Sequence, residues 1–255
     1  MAFKRLIALV PVQGGQVVMS YGYMRHKPAG SLGTVLRNLD RWGIDEIAVI
    51  DISRGRDEPD FSILEQVRLA AIRTPVAFGG GIRSARHAVA AVAQGCDRVI
   101  VETLIWQAPQ EIACIAEAIG QQAVIGAAPL VYGTQGLMVA PVHSAQLETW
   151  TEWLRRVEGL AISELMIIDR EHEGAAGSSK LGEKVPVAEM QHKLIWFGGL
   201  NANHGAALLQ RPDTVGVAFG NPFLTSELAA YTHRRDINTL MRPQLLRKVH
   251  PHVEG

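Results

Sequence analysis

One internal echo constrains the fold of this chain more than any other feature. Gly79-Gly80-Gly81-Ile82 follows the apolar run Val76-Ala77-Phe78, and 118 residues further on Phe197-Gly198-Gly199-Leu200 repeats it, with Gly198 on Gly80 and Leu200 on Ile82. Glycines directly after an apolar run mark the end of a buried strand, where the backbone turns sharply and leaves its N–H groups open. The same ungapped offset places Asp169 on Asp51, Glu164 on Glu46, Gly220 on Glu102 and Pro129 on Pro11. One offset that matches separate strand ends reads as a duplicated half-domain.

Strand and helix signals alternate on this frame. Leu6–Val10 is a near-continuous apolar run, the mark of a parallel strand buried on both faces. Further strands are expected at 46–52, up to the three glycines at 79–81, and at 98–101, 123–127, 164–168, 194–197 and 214–219. Leu32, Val35, Leu36, Leu39 and Trp42 recur at helical spacing, as do Leu147, Trp150, Leu154 and Val157. Asp60 and Ser84 read as helix starts, and Pro109 as a first-turn residue. Residues 13 to 30 read as a long glycine-containing loop, a length that in a compact domain is functional or mobile. Eight strands, each followed by a helix or room for one, close naturally into a single (β/α)8 (TIM) barrel, a fold of about 250 residues. The 255 residues then form one domain, with a first half of about 1–120, a second of about 121–235, and a C-terminal segment of about 236–255 packed outside.

Composition excludes several classes. Lys+Arg and Asp+Glu are equal at 25 each, so the basic excess of a nucleic-acid binder is missing. The N-terminal apolar stretch is interrupted by Pro11 and too short for a signal-peptide core, and no stretch could span a membrane, so the expected setting is the cytoplasm. Cys96 and Cys114 are expected on buried helix positions as small core residues. His26, His87, His143, His192, His204, His233, His250 and His252 are scattered without ligand spacing, so no metal and no other cofactor is expected.

A barrel carries its site at the C-terminal strand ends. Gly80 and Gly81 with Thr103 after the fourth strand form one candidate phosphate cradle, and Gly198 and Gly199 with Gly220 and Asn221 after the eighth form the other. Open N–H groups at such turns bind phosphate. Two cradles across one mouth suit a small molecule with a phosphate at each end. Trp106 stands near that mouth.

Arg5-Leu6-Ile7, Val17-Val18, Gly43-Ile44-Asp45-Glu46, Asp51-Ile52, Phe78-Gly79-Gly80-Gly81-Ile82, Gly95-Cys96-Asp97-Arg98-Val99 and Gln122-Ala123-Val124 together resemble the cyclase subunit of imidazole glycerol phosphate synthase (HisF type). The resemblance covers roughly residues 4 to 224. It implies a barrel that takes ammonia from a glutaminase docked at its bottom and attaches the nitrogen to a bisphosphorylated acceptor, which it then cleaves. It implies an entry gate of Arg5, Glu46, Arg98 and Glu164, a partner contact at Asp97, and a first loop, with Tyr21, Tyr23 and Arg25, that closes over substrate. Four alternating charges at strand starts would converge on the barrel axis, where buried charges persist only when paired.

The departures bear on the chemistry. The family's two catalytic aspartates fall on Pro11 and Pro129, which cannot transfer protons. The first-loop lysine falls on Met19 and the strand-four asparagine on Glu102, a carboxylate unfavourable beside a phosphate cradle. The family's acidic motif after strand six falls on Glu171-His172-Glu173-Gly174, or in another register on Asp169. Three readings stay open. The first is a HisF-like barrel that receives ammonia and acts at, or delivers it to, a phosphorylated acceptor, with Asp51, Asp169 and Glu173 as candidate catalytic residues beside Glu102, Glu171 and His172. The second is a working lyase-type cyclase with its acid and base re-sited onto Asp51 and Glu173. The third is a non-catalytic bisphosphate-binding barrel.

Overall fold

The computed structural model describes residues 3–53, 55, 57–134, 136–142, 146–186, 191–241 and 245–247. His143, His250 and His252 lie outside them. Eight strands form the barrel: β1 (Arg5–Gln13), β2 (Glu46–Asp51), β3 (Val76–Gly79), β4 (Arg98–Val101), β5 (Val124–Gly133), β6 (Glu164–Asp169), β7 (Lys193–Phe197) and β8 (Thr214–Phe219). Each pairs in parallel with the next, and β8 returns to β1. Helices over Leu32–Arg41, Phe61–Ala70, Ala85–Ala93, Gln110–Ile119, Trp150–Val157, Ala202–Leu209 and Glu227–Leu240 lie among the connections.

Strand side chains alternate between two environments. Ile7, Leu9, Ala48, Ala77, Ile100, Ile125, Ala127, Met166, Ile168, Ile195, Phe197 and Ala218 fill the lumen, while Leu6, Val10, Val49, Phe78, Val99, Leu165 and Trp196 meet the helices. Being buried on both faces is why these strands read as continuous apolar runs. Each fully buried Leu or Ile contributes about 1.5–3 kcal/mol.

The sheet register repeats at the offset seen in the sequence. Pro11 stands opposite Ile50 and Pro129 opposite Ile168; Ala77 is opposite Arg98 and Ile195 opposite Gly216. Both first strands of a half overrun the barrel rim into antiparallel pairing. β1 continues against Gln16–Tyr21, which pairs with Arg25–Ser31, and β5 continues against Gly136–Val139. Residues 13 to 30 are therefore a β-hairpin rather than the long loop expected, because Gln16–Tyr21 pairs on both sides and buries Val17, Val18 and Ser20.

Other expectations shift by smaller amounts. Cys96 is buried but lies in the turn after Ala85–Ala93, and Cys114 is exposed on Gln110–Ile119. Pro109 is the N-cap of its helix, one place before the first turn. Leu147 is exposed and precedes the helix Trp150–Val157, which a Thr149–Glu152 capping box starts three residues later. Asp60 and Ser84 do cap their helices, accepting from the N–H groups of Ser62 and His87.

The two in-strand prolines fit because of where the ladders stop. Val12 and Leu130 point their carbonyls toward β2 and β6, accepting from Ile52 and Arg170. The odd-numbered neighbours Pro11 and Pro129 thus present their N–H sides to β8 and β4, whose pairings have already ended at Ala8 and Gly126. No bond to β8 or β4 is lost; Pro129 instead faces Ala140, whose N–H donates to the Pro129 carbonyl at 2.8 Å and whose own carbonyl, lacking a partner N–H on the proline, accepts from Arg170 Nη1 at 3.2 Å.

The glycine pairs are fixed by space as well as by dihedral. Gly80 and Gly198 have φ of 121° and 105°, and Gly81 and Gly199 have 70° and 63°. A Cβ on Gly80 would lie 2.7 Å from the Asp51 Cβ, and one on Gly198 would lie 2.9 Å from the Asp169 backbone nitrogen. Gly80→Ala and Gly198→Ala should each cost about 2–4 kcal/mol in urea unfolding, strain and overpacking combined. Gly14→Ala, at φ 57° in open space, should cost only about 1–2 kcal/mol.

Candidate functional site

The barrel floor carries a closed ring of charge. Arg5, Glu46, Arg98 and Glu164 start β1, β2, β4 and β6 at positions whose side chains turn into the lumen. Arg5 Nη1 lies 2.9 Å from Glu46 Oε2 and its Nη2 2.6 Å from Glu164 Oε2. Arg98 Nη1 lies 3.3 Å from Glu46 Oε1 and 2.8 Å from Glu164 Oε2. The Arg5–Glu46 contact is Coulombic rather than a directed hydrogen bond, which leaves Glu46 Oε2 without a donor. Burial raises the Glu46 pKa, against the pull of Arg5 and Arg98. Asp97 is exposed beside Arg98, and its Oδ2 accepts the Val76 N–H at 2.8 Å.

At the opposite end the two halves differ. The first half holds a cavity of about 370 Å3. Asp51, Gly80, Gly81, Glu102, Thr103 and Trp106 line it, above a floor of Leu9, Ile50, Ile100, Ala127, Met166 and Ile168. The second half, around Gly198, Gly199, Gly220 and Asn221, has a space of about 30 Å3. The hairpin fills the rest. Asn221 Oδ1 accepts the Ser20 N–H at 3.1 Å and its Nδ2 donates to the Ser20 carbonyl at 2.7 Å. Glu173 Oε2 accepts from Ser20 Oγ at 3.0 Å and from the Tyr23 N–H at 3.1 Å. Tyr23, at φ 56°, is thereby pushed in among the lumen residues.

The three sequence-predicted catalytic carboxylates do not converge. Asp51 lines the open cavity, and its Oδ1 accepts the Ser53 N–H at 2.9 Å. Asp169, its counterpart in the other half, is fully buried. It accepts from His172 Nδ1 at 2.8 Å, Tyr132 OH at 3.0 Å and the Lys180 N–H at 3.1 Å. Glu173 belongs to the hairpin latch, and Glu171 accepts the Tyr132 N–H at 3.0 Å. The two expected cradles differ in room: Gly80, Gly81 and Thr103 border the larger cavity, whereas Gly198 and Gly199 are buried and, with the half-buried Gly220 and Asn221, line only the small space.

Glu102 is the residue that sequence reasoning undervalued. Oε1 accepts the Val142 N–H at 3.0 Å, and burial raises its pKa from about 4.5 to about 7, against the Val142 hydrogen bond and the Arg170 charge. Its only sequence signal was its place one offset before Gly220. The sequence places Tyr23 only on a first loop closing over substrate and gives no signal for Ser20, since insertion of a hairpin tip depends on partners from the other half.

Among the described residues, no group of three or more His, Cys, Asp or Glu could hold a metal ion, and no helix is long and apolar enough to cross a membrane. The family described as "Histidine biosynthesis protein" matches residues 5–229. The chain belongs to this family, and to its HisF type. Imidazole glycerol phosphate synthase subunit HisF of Chlorobaculum parvum is 30% identical over 178 residues, covering 68% of this chain and 70% of the relative. The subunits of the same name from Chlorobaculum tepidum and Alkaliphilus metalliredigens are 29% and 28% identical, the first with the same coverage and the second over 68% of this chain and 71% of the relative.

The folded state of this HisF-type chain holds the Glu102 proton to about pH 7, whereas the unfolded chain releases it near 4.5. Stability from this group is therefore present at low pH and lost as pH rises through that window. Glu102→Gln should leave stability at pH 4.5 near the wild-type value and raise it at pH 8 by roughly 2–3 kcal/mol, read from urea unfolding at both pH values. Asn221→Ala removes both bonds to Ser20. Trypsin cleavage after the exposed Arg25 should then speed up roughly five- to thirtyfold, as expected for about 1–2 kcal/mol of lost latch. An unchanged cleavage rate would mean that Glu173 alone holds the hairpin.

Proposed function

We propose that this chain is the barrel subunit of a glutamine amidotransferase. It receives ammonia from a glutaminase at the barrel floor and acts at, or delivers it to, a phosphorylated small-molecule acceptor at the top. The observation that carries the reading is the Arg5–Glu46–Arg98–Glu164 ring closing an apolar lumen that runs up to the open cavity. Apolar walls suit neutral ammonia and reject ions, whose desolvation there costs several kcal/mol. Asp97, exposed next to the ring, is the partner contact. Gly80, Gly81 and Thr103 receive an acceptor phosphate, and the Gly198–Gly199 side accepts a second only when the hairpin lifts. The glutamine supply places the complex in the cytoplasm.

The cyclase reading with Asp51 and Glu173 as acid and base is disfavoured, because Glu173 is spent on Ser20 and Tyr23. A passive bisphosphate holder is disfavoured by the filled second cradle.

The test mixes the purified chain with the glutaminase subunit of an imidazole glycerol phosphate synthase. Co-elution and at least a tenfold rise in glutamine hydrolysis are expected. Asp97→Asn keeps an oxygen for the Val76 N–H, so it should fold normally yet weaken the complex about three- to tenfold, the range of a single interfacial charge. A chain that neither co-elutes nor stimulates hydrolysis sinks the proposal.

A further inference from the structure

Six carboxylates surround the barrel mouth, and three of them face the second half. Asp169 is sealed under His172, Tyr132 and Lys180, Glu171 is held by the Tyr132 backbone, and Glu173 latches the hairpin. Asp51, Asp57 and Glu102 line the open cavity, Asp57 at its exposed rim beside Arg83 and the other two inside it. The inner two rise from β2 and β4 above the apolar lumen floor, where ammonia from below would emerge. We propose that in this upper site Glu102 is the acid and base and Asp51 holds the acceptor, the two acting on an acceptor carbonyl in place of the carboxylates that Pro11 and Pro129 do not supply. The proposal rests on the ammonia-receiving reading above.

The chemistry balances without a further reagent. The ammonia lone pair forms the C–N bond while the carbonyl π pair moves to oxygen. The Glu102 carboxylate takes a proton from the attached nitrogen and passes it to the oxygen, giving HO–C–NH2; a second such transfer breaks the C–O bond as the nitrogen lone pair forms C=N, so that C=O and NH3 become C=NH and water. Asp51 accepts a hydrogen bond from a hydroxyl or amine of the acceptor and orients it. Glu102 suits proton exchange because its pKa of about 7 lets it give and take at neutral pH. The charged and titratable groups around it are Arg170 after β6, Tyr23 from the hairpin, and Asp51 and Arg83 across the cavity. Arg170 also donates to the Ala140 and Pro141 carbonyls, at 3.2 and 3.4 Å. That fixes the cation near Glu102 without an ion pair that would hold the carboxylate ionised.

The experiment uses the full chain with ammonium chloride as nitrogen source and the bisphosphorylated ribosyl-ribulosyl carboxamide as carbonyl probe. Its consumption is followed from pH 5.5 to 9. The expected result is turnover with a limb centred near pH 7. Glu102→Gln keeps the shape and the Val142 hydrogen bond, and should lower kcat about 100-fold with KM within threefold and the limb gone. Glu102→Asp should restore part of the rate. Asp51→Asn should raise KM as well as lower kcat. Turnover in Glu102→Gln within threefold of wild type, a limb that persists there, or a wild type that leaves the probe unconsumed would each overturn the proposal. Stimulation of the glutaminase is measured on the same samples. If it survives in the wild type and in Glu102→Gln while the pH result fails, only the acid–base assignment is lost. If the stimulation is absent, the ammonia-receiving reading falls as well.

Discussion

Backbone contact at two strand ends organises the molecule. Where β3 and β7 finish, Gly80 and Gly198 lie against the backbone of Asp51 and Asp169 with no room for a Cβ. The chain can turn there only through positive φ, and it does so twice with nearly the same dihedrals. That close approach sets the tilt at which each second strand meets its third. The rest of the register follows at one offset around the barrel, down to the pairing of Arg5 with Gly216. The lumen is then filled by small and medium apolar side chains, and what remains for function lies at the two ends.

The symmetry of the backbone is broken by side chains. Asp51 and Asp169 share a register position, yet one borders open space and the other is buried under His172, Tyr132 and Lys180. Glu102 and Gly220 share another, preceding the equivalent short helices Thr103–Gln107 and Asn221–Thr225. Gly220 puts no side chain at that place, and Asn221 after it binds the hairpin, while Glu102 brings a partly desolvated carboxyl into the first half. A duplicated scaffold has thus become a barrel with one open side and one latched side. Tyr23 is the wall between them, held by Glu173 after β6.

The fold was legible because its signals are local and repeated. Each barrel strand holds a run of three or more apolar residues, and the echo at Gly80 and Gly198 fixed how the runs relate. The hairpin was not legible. Val17, Val18 and Ser20 alternate, but the glycines around them suggested a loop, and the faces they bury belong to distant elements. The site was half legible. The four floor charges could be named from the family resemblance, and strand alternation agrees by pointing each one inward. The mouth carboxylates could not be sorted, because Asp51, Asp169, Glu102 and Glu173 differ in which hydrogen-bond donors the folded chain brings to them, and those donors come from Ser53, Tyr132, Val142 and Ser20.

Stability alone does not explain the ring at the floor. Replacing a buried ion-pair network by well-packed apolar residues is often neutral or stabilising by about 1–4 kcal/mol, and this barrel already packs Ile, Ala and Met one layer above. Glu46 is nearly inaccessible, its carboxyl is pushed toward the protonated form by burial, and one of its oxygens lacks a directed donor. Such a group is a cost to folding unless the ring does something an apolar plug cannot. A plug would seal the lumen permanently. Four charges held by contacts of 2.6 to 3.3 Å can exchange partners with a docked protein and part without exposing apolar surface. The ammonia entry proposed above would use that property of the floor, and the neighbouring Asp97 is exposed yet anchored to Val76.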